Sequence, residues 1–356
     1  MKELGVGKPR FRRGTSASFL FRRRAAIISS ILTVLMLVGN IPATAAATVT
    51  STIPVGWRPY GVAFTPDGST AYVTNQASAT VSVIDVASGT VASTIPVGSS
   101  PFGVAVSPDG STAYATNQGS NTVSVIAVAS GTVTLTIPVG SSPYGVSFTP
   151  DGSTAYVTNQ ASATVSVIDV ASGTVASTIP VGSFPISVAF TPDGSTAYVT
   201  NQASNTVSVI NVASGTVTST IPVGVPYGLA FTPDGSTAYV TGLGAFPRVS
   251  VIDVASSTVA SIIPVGSSPV NVAVTPDGST AYVANQASNT VSVIAVASGT
   301  VTATIPVGTS PFGVAFTPDG SAAYVTNYFD DTVSVITVAP AAPVFSASTP
   351  PAAGTV

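Results

Sequence analysis

Past residue 47 this chain has few groups able to do chemistry. It holds twelve aspartates and two arginines, Arg58 and Arg248; histidine and cysteine are absent throughout, and lysine and glutamate occur only at Lys2, Lys8 and Glu3. Without histidine there is no Ser-His triad, no imidazole base and no His metal site. Without cysteine there are no disulfides, no thiolate ligands and no lipid-bearing cysteine. Acid–base work would fall on aspartate, tyrosine or two arginines. No phosphate loop, dinucleotide fingerprint, zincin helix or EF-hand pattern is present. The inventory predicts no catalytic residues, no metal and no cofactor, hence a protein that is not an enzyme.

The aspartates themselves are patterned. Seven sit in Pro-Asp-Gly turns: Asp67, Asp109, Asp151, Asp193, Asp234, Asp277 and Asp319. Asp-Gly-Ser in those turns lacks the ligand spacing of a calcium loop. Asp85, Asp169 and Asp253 share a second recurring position, where other units have Ala127, Asn211, Ala295 and Thr337. Only Asp330 and Asp331 break the pattern. Other departures cluster with them in loops: Trp57, Arg58, Phe184, Phe246, Arg248, Tyr328 and Phe329. Aromatic and arginine side chains on loops are what binding surfaces use. With Tyr60 these residues form the candidate binding face. Arg58 is expected to pair with Asp330 or Asp331, beside an apolar patch of Trp57, Tyr328 and Phe329. Drift in tolerant loops would give the same pattern without a ligand.

The elements that position these residues repeat. The turn aspartates recur at spacings of 42, 42, 42, 41, 43 and 42 residues, and Ile-Pro-Val-Gly recurs in step from Ile53 to Ile305. Within residues 59–98, four runs rich in valine, threonine and isoleucine are separated by Pro-Asp-Gly, Gln-Ala-Ser-Ala and Ala-Ser-Gly, with no helical period. Each unit therefore reads as a four-stranded antiparallel meander. Seven of them stacked in a ring cover both faces of every sheet. The prolines that end each fourth strand place it at the outer edge, because proline donates no ladder hydrogen bond. The frame starts with a fourth strand, residues 48–55, and ends after a third. The sequence thus predicts an all-β fold, a seven-bladed β-propeller closed by its N-terminal strand in blade seven. In such a ring the loops between strands two and three share a face with the blade-joining loops. The blade-opening residues Tyr60, Phe102, Tyr144, Ile186, Tyr227, Val270 and Phe312 should ring its central mouth.

The repeat Ala-Tyr-Val-Thr-Asn, followed by Thr-Val-Ser-Val-Ile-Asp-Val, Gly-Thr-Val and Ile-Pro-Val-Gly, resembles the YVTN family of β-propeller repeats. The tetrapeptide is intact at Tyr72, Tyr156, Tyr198 and Tyr324 and altered at Tyr114, Tyr239 and Tyr282. The resemblance implies a seven-bladed propeller, usually exported or on the cell surface, and no reaction. Related seven-bladed folds include lactonases and a lyase.

Residues 1–47 read as a signal peptide: eight basic residues before position 25, an apolar run from Ala25 to Val38, then Ala43-Thr-Ala-Ala-Ala47. An uncleaved anchor is the alternative, and would be the one route to a membrane. Residues 339–356 form a Pro/Ala-rich tail, either disordered or the start of an Ig-like domain that stops short. Beyond the leader, two arginines against twelve aspartates leave a formal charge of about −10, which excludes nonspecific nucleic-acid binding. These features predict a secreted or surface-displayed monomeric propeller. It would serve as a nonenzymatic scaffold for a protein or glycan of the envelope or outside the cell. A lactonase- or lyase-like enzyme and a purely structural spacer are the alternatives.

Overall fold

The structure, a computed structural model, describes residues 47–338. The signal peptide expected over 1–47 and the tail expected over 339–356 lie, apart from Ala47, outside the described residues. Strands are grouped into seven four-stranded antiparallel sheets. After β1 (Thr48–Pro54), blade one is made in order by β2 (Pro59–Phe64), β3 (Thr70–Asn75), β4 (Thr80–Asp85) and β5 (Thr90–Pro96). β2 touches the first strands of both blade two, Pro101–Val106, and blade seven, Pro311–Phe316, so the ring is closed. Among the described residues no helix is long and apolar enough to cross a membrane.

Closure follows the frame of the sequence. β1 pairs antiparallel with Thr332–Thr337 as the outer strand of blade seven, with Val49 opposite Ile336 and Ile53 opposite Val333. Ile53 is buried, while the rest of β1 is largely exposed, as in every other fourth strand. Pro54 and its equivalents end these rim strands.

Each letter of the Tyr-Val-Thr-Asn repeat has a mechanical role. The tyrosine is buried and in five blades faces the phenylalanine that ends the first strand of the next blade, as in Tyr156–Phe190 at 4.8 Å and Tyr324–Phe64 at 4.9 Å between centroids; Tyr72 and Tyr239 have Val106 and Val274 there instead. Such pairs add about 0.5–1.5 kcal/mol beyond burial. The valine fills the sheet core. The threonine latches neighbouring blades: Thr74 Oγ1 donates to the Phe102 carbonyl at 2.5 Å and accepts the Gly61 amide at 2.9 Å. A Cβ at Gly61 would stand 2.7 Å from that same Phe102 oxygen, so a side chain here would need a local shift of the two strands. The asparagine pins the hairpin of strands two and three. Asn75 Nδ2 donates to Thr80 Oγ1 at 3.1 Å and Ser82 Oγ at 2.9 Å. In blade six Ala284 replaces the threonine, so the step from blade six to blade seven has no hydroxyl latch.

The Pro-Asp-Gly turns form a continuous collar on one face. Each turn glycine lies against the turn proline of the preceding blade, from Gly68 on Pro318 round to Gly320 on Pro276. Each turn carboxylate is used locally: Asp67 accepts Thr65 Oγ1 at 2.6 Å and the Ser69 amide at 3.0 Å.

Candidate functional site

The opposite face carries the off-pattern residues. There the blade-joining loops bond to the loops between strands two and three; the Gln76 amide, for example, donates to the Arg58 carbonyl at 2.9 Å. The floor is made by the residues that open the first strands. Tyr60, Phe102, Tyr144 and Ile186 are buried together, with Tyr227, Phe312 and Tyr328 packed against them. Rings touch edge to face or tilted, with Tyr60 centred 4.5 Å from Phe102 and 4.3 Å from Phe312. The hydroxyls of Tyr60, Tyr144 and Tyr227, from alternate blades, meet and hydrogen-bond one another. Burial pushes the phenols of Tyr144 and Tyr227 well above the ordinary range, so both stay protonated at neutral pH. A cavity of about 140 Å³ lies among these residues, with Ser187 and Asn271 on its wall where other blades have glycine.

Around this floor runs a polar rim that sequence reasoning passed over. Gln76, Gln118, Gln160, Gln202 and Gln286 occupy one position in five blades, with Leu243 and Tyr328 in the other two. All seven are half-buried. Gln118 Nε2 donates to Gln160 Oε1 at 3.3 Å, and the Tyr328 hydroxyl donates to Gln76 Oε1 at 2.7 Å. The glutamines looked like plain consensus. The available signal was that a polar side chain directly follows the buried asparagine of the tetrapeptide.

The structure brings most of the candidate residues together at the junction of blades seven and one. Tyr328 packs 5.6 Å from Phe312 and 5.0 Å from Phe329, and the Arg58 guanidinium lies 5.6 Å above its ring. Trp57 is 68% exposed and Phe329 63%. Tyr60, by contrast, is buried in the floor. The acids do a different job from the expected one. Asp331 Oδ1 accepts the Arg58 backbone amide at 2.8 Å, and Asp330 Oδ2 accepts the Thr309 amide at 2.6 Å. Elsewhere Asn121 and Ser120 cap the same loop amides. Loop closure rather than an ion pair explains both carboxylates, and the guanidinium turns to the aromatic ring instead.

Phe184, 47% exposed, and Phe246, 77% exposed, stand apart in blades four and five. Arg248 is not a free cation on this face. Its side chain packs on Gly224, the place that Asn75 and its equivalents fill against Gly56 and the other loop glycines. Gly242 has replaced the asparagine in this blade, and the arginine occupies the space it vacated. Among the described residues, no group of three or more histidine, cysteine, aspartate or glutamate side chains is placed to hold a metal.

Comparison with known proteins adds to this geometry. The hydrazine synthase of Kuenenia stuttgartiensis superposes with a TM-score of 0.75 at 26% identity, over 84% of this chain and 99% of that one. No curated protein matches. A family model described as the virginiamycin B lyase family matches residues 48–335. That description is of a lyase, not of YVTN repeats, and it overturns the expectation of a protein that is not an enzyme. That expectation rested on the missing histidine, lysine and glutamate, and so on the assumption that chemistry in this fold requires them. The matched span takes in all seven blades except the last two residues of the third strand of blade seven, and the chain belongs to the virginiamycin B lyase family.

Proposed function

We propose that this chain is an exported propeller whose loop face binds its ligand around the mouth of the ring. One observation carries the reading. All four exposed aromatic side chains among the described residues, Trp57, Phe184, Phe246 and Phe329, stand on the loop face. The exposed aliphatics Leu135, Ile262 and Val301 lie on the outer strands instead. An exposed tryptophan next in sequence to an arginine that lies over a tyrosine, itself packed on an exposed phenylalanine, is the composition of an interaction site. The leader-like residues 1–47 and the resemblance to exported repeat proteins support an extracytoplasmic partner. The test is retention of the purified propeller on cell-envelope preparations. Trp57→Ala with Phe329→Ala should weaken retention at least tenfold, while Leu135→Ser with Ile262→Thr on the rim leaves it unchanged. Retention lost only with the rim variant would refute the reading.

A second reading, favoured by the family match, places lyase chemistry at the same mouth. An elimination needs a base that takes a proton from carbon and an acid that gives one to the leaving atom, and the hydroxyls of Tyr60, Tyr144 and Tyr227, which meet at the mouth, are the groups there able to exchange protons. Incubation with virginiamycin B, followed by chromatography, tests it directly. Consumption that disappears in Tyr144→Phe and Tyr227→Phe would support this reading; no consumption by the parent protein would refute it for that substrate.

A further inference from the structure

We propose that the ligand of the loop face is an elongated, neutral oligosaccharide that crosses the mouth of the ring. It would lie from the junction of blades seven and one to blades four and five. This rests on the reading that the loop face is the binding face, and adds the ligand's chemistry and direction.

The exposed aromatics fall into two pairs. Trp57 and Phe329 belong to adjacent blades one and seven; Phe184 and Phe246 belong to adjacent blades four and five. In a seven-membered ring, blade four stands directly across from the junction of blades seven and one. The two pairs therefore face each other over the mouth, and any ligand that uses both must pass across it. Between them lies the rim of Gln76, Gln118, Gln160, Gln202 and Gln286 over the tyrosine floor.

The chemistry between the anchors selects the ligand. A primary amide donates and accepts, and so does a sugar hydroxyl, so a row of amides matches a row of hydroxyls without any charge. Flat aromatic rings at each end match the apolar faces of pyranose rings. Charge is engaged elsewhere. Arg58 is turned onto Tyr328, Arg248 is packed on Gly224, and Asp330 and Asp331 accept loop amides. The remaining aspartates belong to the turns of the opposite face, as Asp67 and Asp85 show by capping Ser69 and Ser88. The rim between the anchors carries no charged side chain, Leu243 and Tyr328 completing the circle of glutamines, so a charged ligand gains no ion pair as it crosses.

Titration calorimetry with cellohexaose, chitohexaose, maltohexaose and mannohexaose, their disaccharides, and hexagalacturonate tests the proposal. At least one neutral hexamer should bind, at least about tenfold more tightly than its disaccharide, because the second anchor acts as a tethered site. Hexagalacturonate should not bind. Trp57→Ala/Phe329→Ala and Phe184→Ala/Phe246→Ala should each reduce hexamer affinity about tenfold and leave disaccharide affinity changed only in one pair. These side chains are exposed, so unchanged melting confirms that the variants fold. The proposal is overturned if no neutral hexamer binds, if length has no effect, if the blade four and five pair has none, or if the acidic hexamer is preferred. Envelope retention separates the two levels. Retention lost in the variants without hexamer binding overturns the glycan and keeps loop-face binding; retention unchanged overturns both.

Discussion

Ala284→Thr should tighten the one step of the ring that lacks a hydroxyl latch. In the other six blades the threonine Oγ1 lies 2.5–2.9 Å from the carbonyl of the next blade. It also accepts an amide of its own first strand at 2.8–3.0 Å. A net hydrogen bond contributes about 0.5–1.5 kcal/mol, and an orphaned buried partner costs about 1–3 kcal/mol. In blade six Asn271 already pairs with Ala284 in the ladder, a pairing absent from blade one, so the amide side of the latch is partly served. The gain is then mainly the Phe312 carbonyl, about 1 kcal/mol before about 0.5 kcal/mol of side-chain ordering. Ser187 with Thr200 shows that a side chain at the glycine position tolerates the latch. For a ring spanning residues 47–338, 1 kcal/mol corresponds to about 1–2 °C in melting temperature. Scanning calorimetry should show Ala284→Thr raised by up to that amount. The reverse change, Thr158→Ala, removes a donor and an acceptor together and should lower the midpoint by about 3–6 °C. Unchanged melting of Thr158→Ala, or an Ala284→Thr variant that melts lower, would refute the latch.

Deleting residues 48–54 should lower the melting midpoint, because it strips the ladder from Thr332–Thr337, and a synthetic peptide of those residues should restore it. Val225 is β-branched yet held at a φ of 45° in the loop before blade five; Val225→Gly should stabilise by about 1 kcal/mol in denaturant titration. The raised phenols of Tyr144 and Tyr227 predict alkaline sensitivity. Their contribution is complete below about pH 10 and lost as pH climbs toward the folded values, so Tyr144→Phe with Tyr227→Phe should flatten the melting profile above pH 10. The turn carboxylates run the other way. Hydrogen bonds from Thr65 and Ser69 hold Asp67 below the ordinary range, so stability is present above about pH 4 and falls in acid; Asp67→Asn should blunt that acid limb.

The ring was legible because its information is periodic. The displaced fourth strand could be read from the frame alone as residues 48–55, one residue longer than Thr48–Pro54, and the prolines at the strand ends marked the rim. The meeting of Arg58 with Tyr328 was legible for the same reason, since ring order makes blades one and seven neighbours. What the residues do to each other was not. Asp330 and Asp331 looked like unpatterned charge, yet they stand where Ser120 and Asn121 stand in another blade, and loop amides compete for them more closely than a flexible guanidinium does. Arg248 looked exposed until Gly242 was seen to leave it an empty seat. The glutamine rim was hidden by its own regularity, because residues that repeat look like scaffold.

β1 has the sequence Thr-Val-Thr-Ser-Thr-Ile-Pro, and so has the rim strand Thr216–Pro222 of blade four. The closing strand therefore carries little information that says which blade it belongs to. Its address is supplied by tethering: a strand joined to blade one by a short loop sees blade seven next door at high effective concentration. Crowding many copies together erodes that advantage. The same strand from a second copy fits Thr332–Thr337 equally well, so exchange between rings would link copies head to tail without a new contact surface.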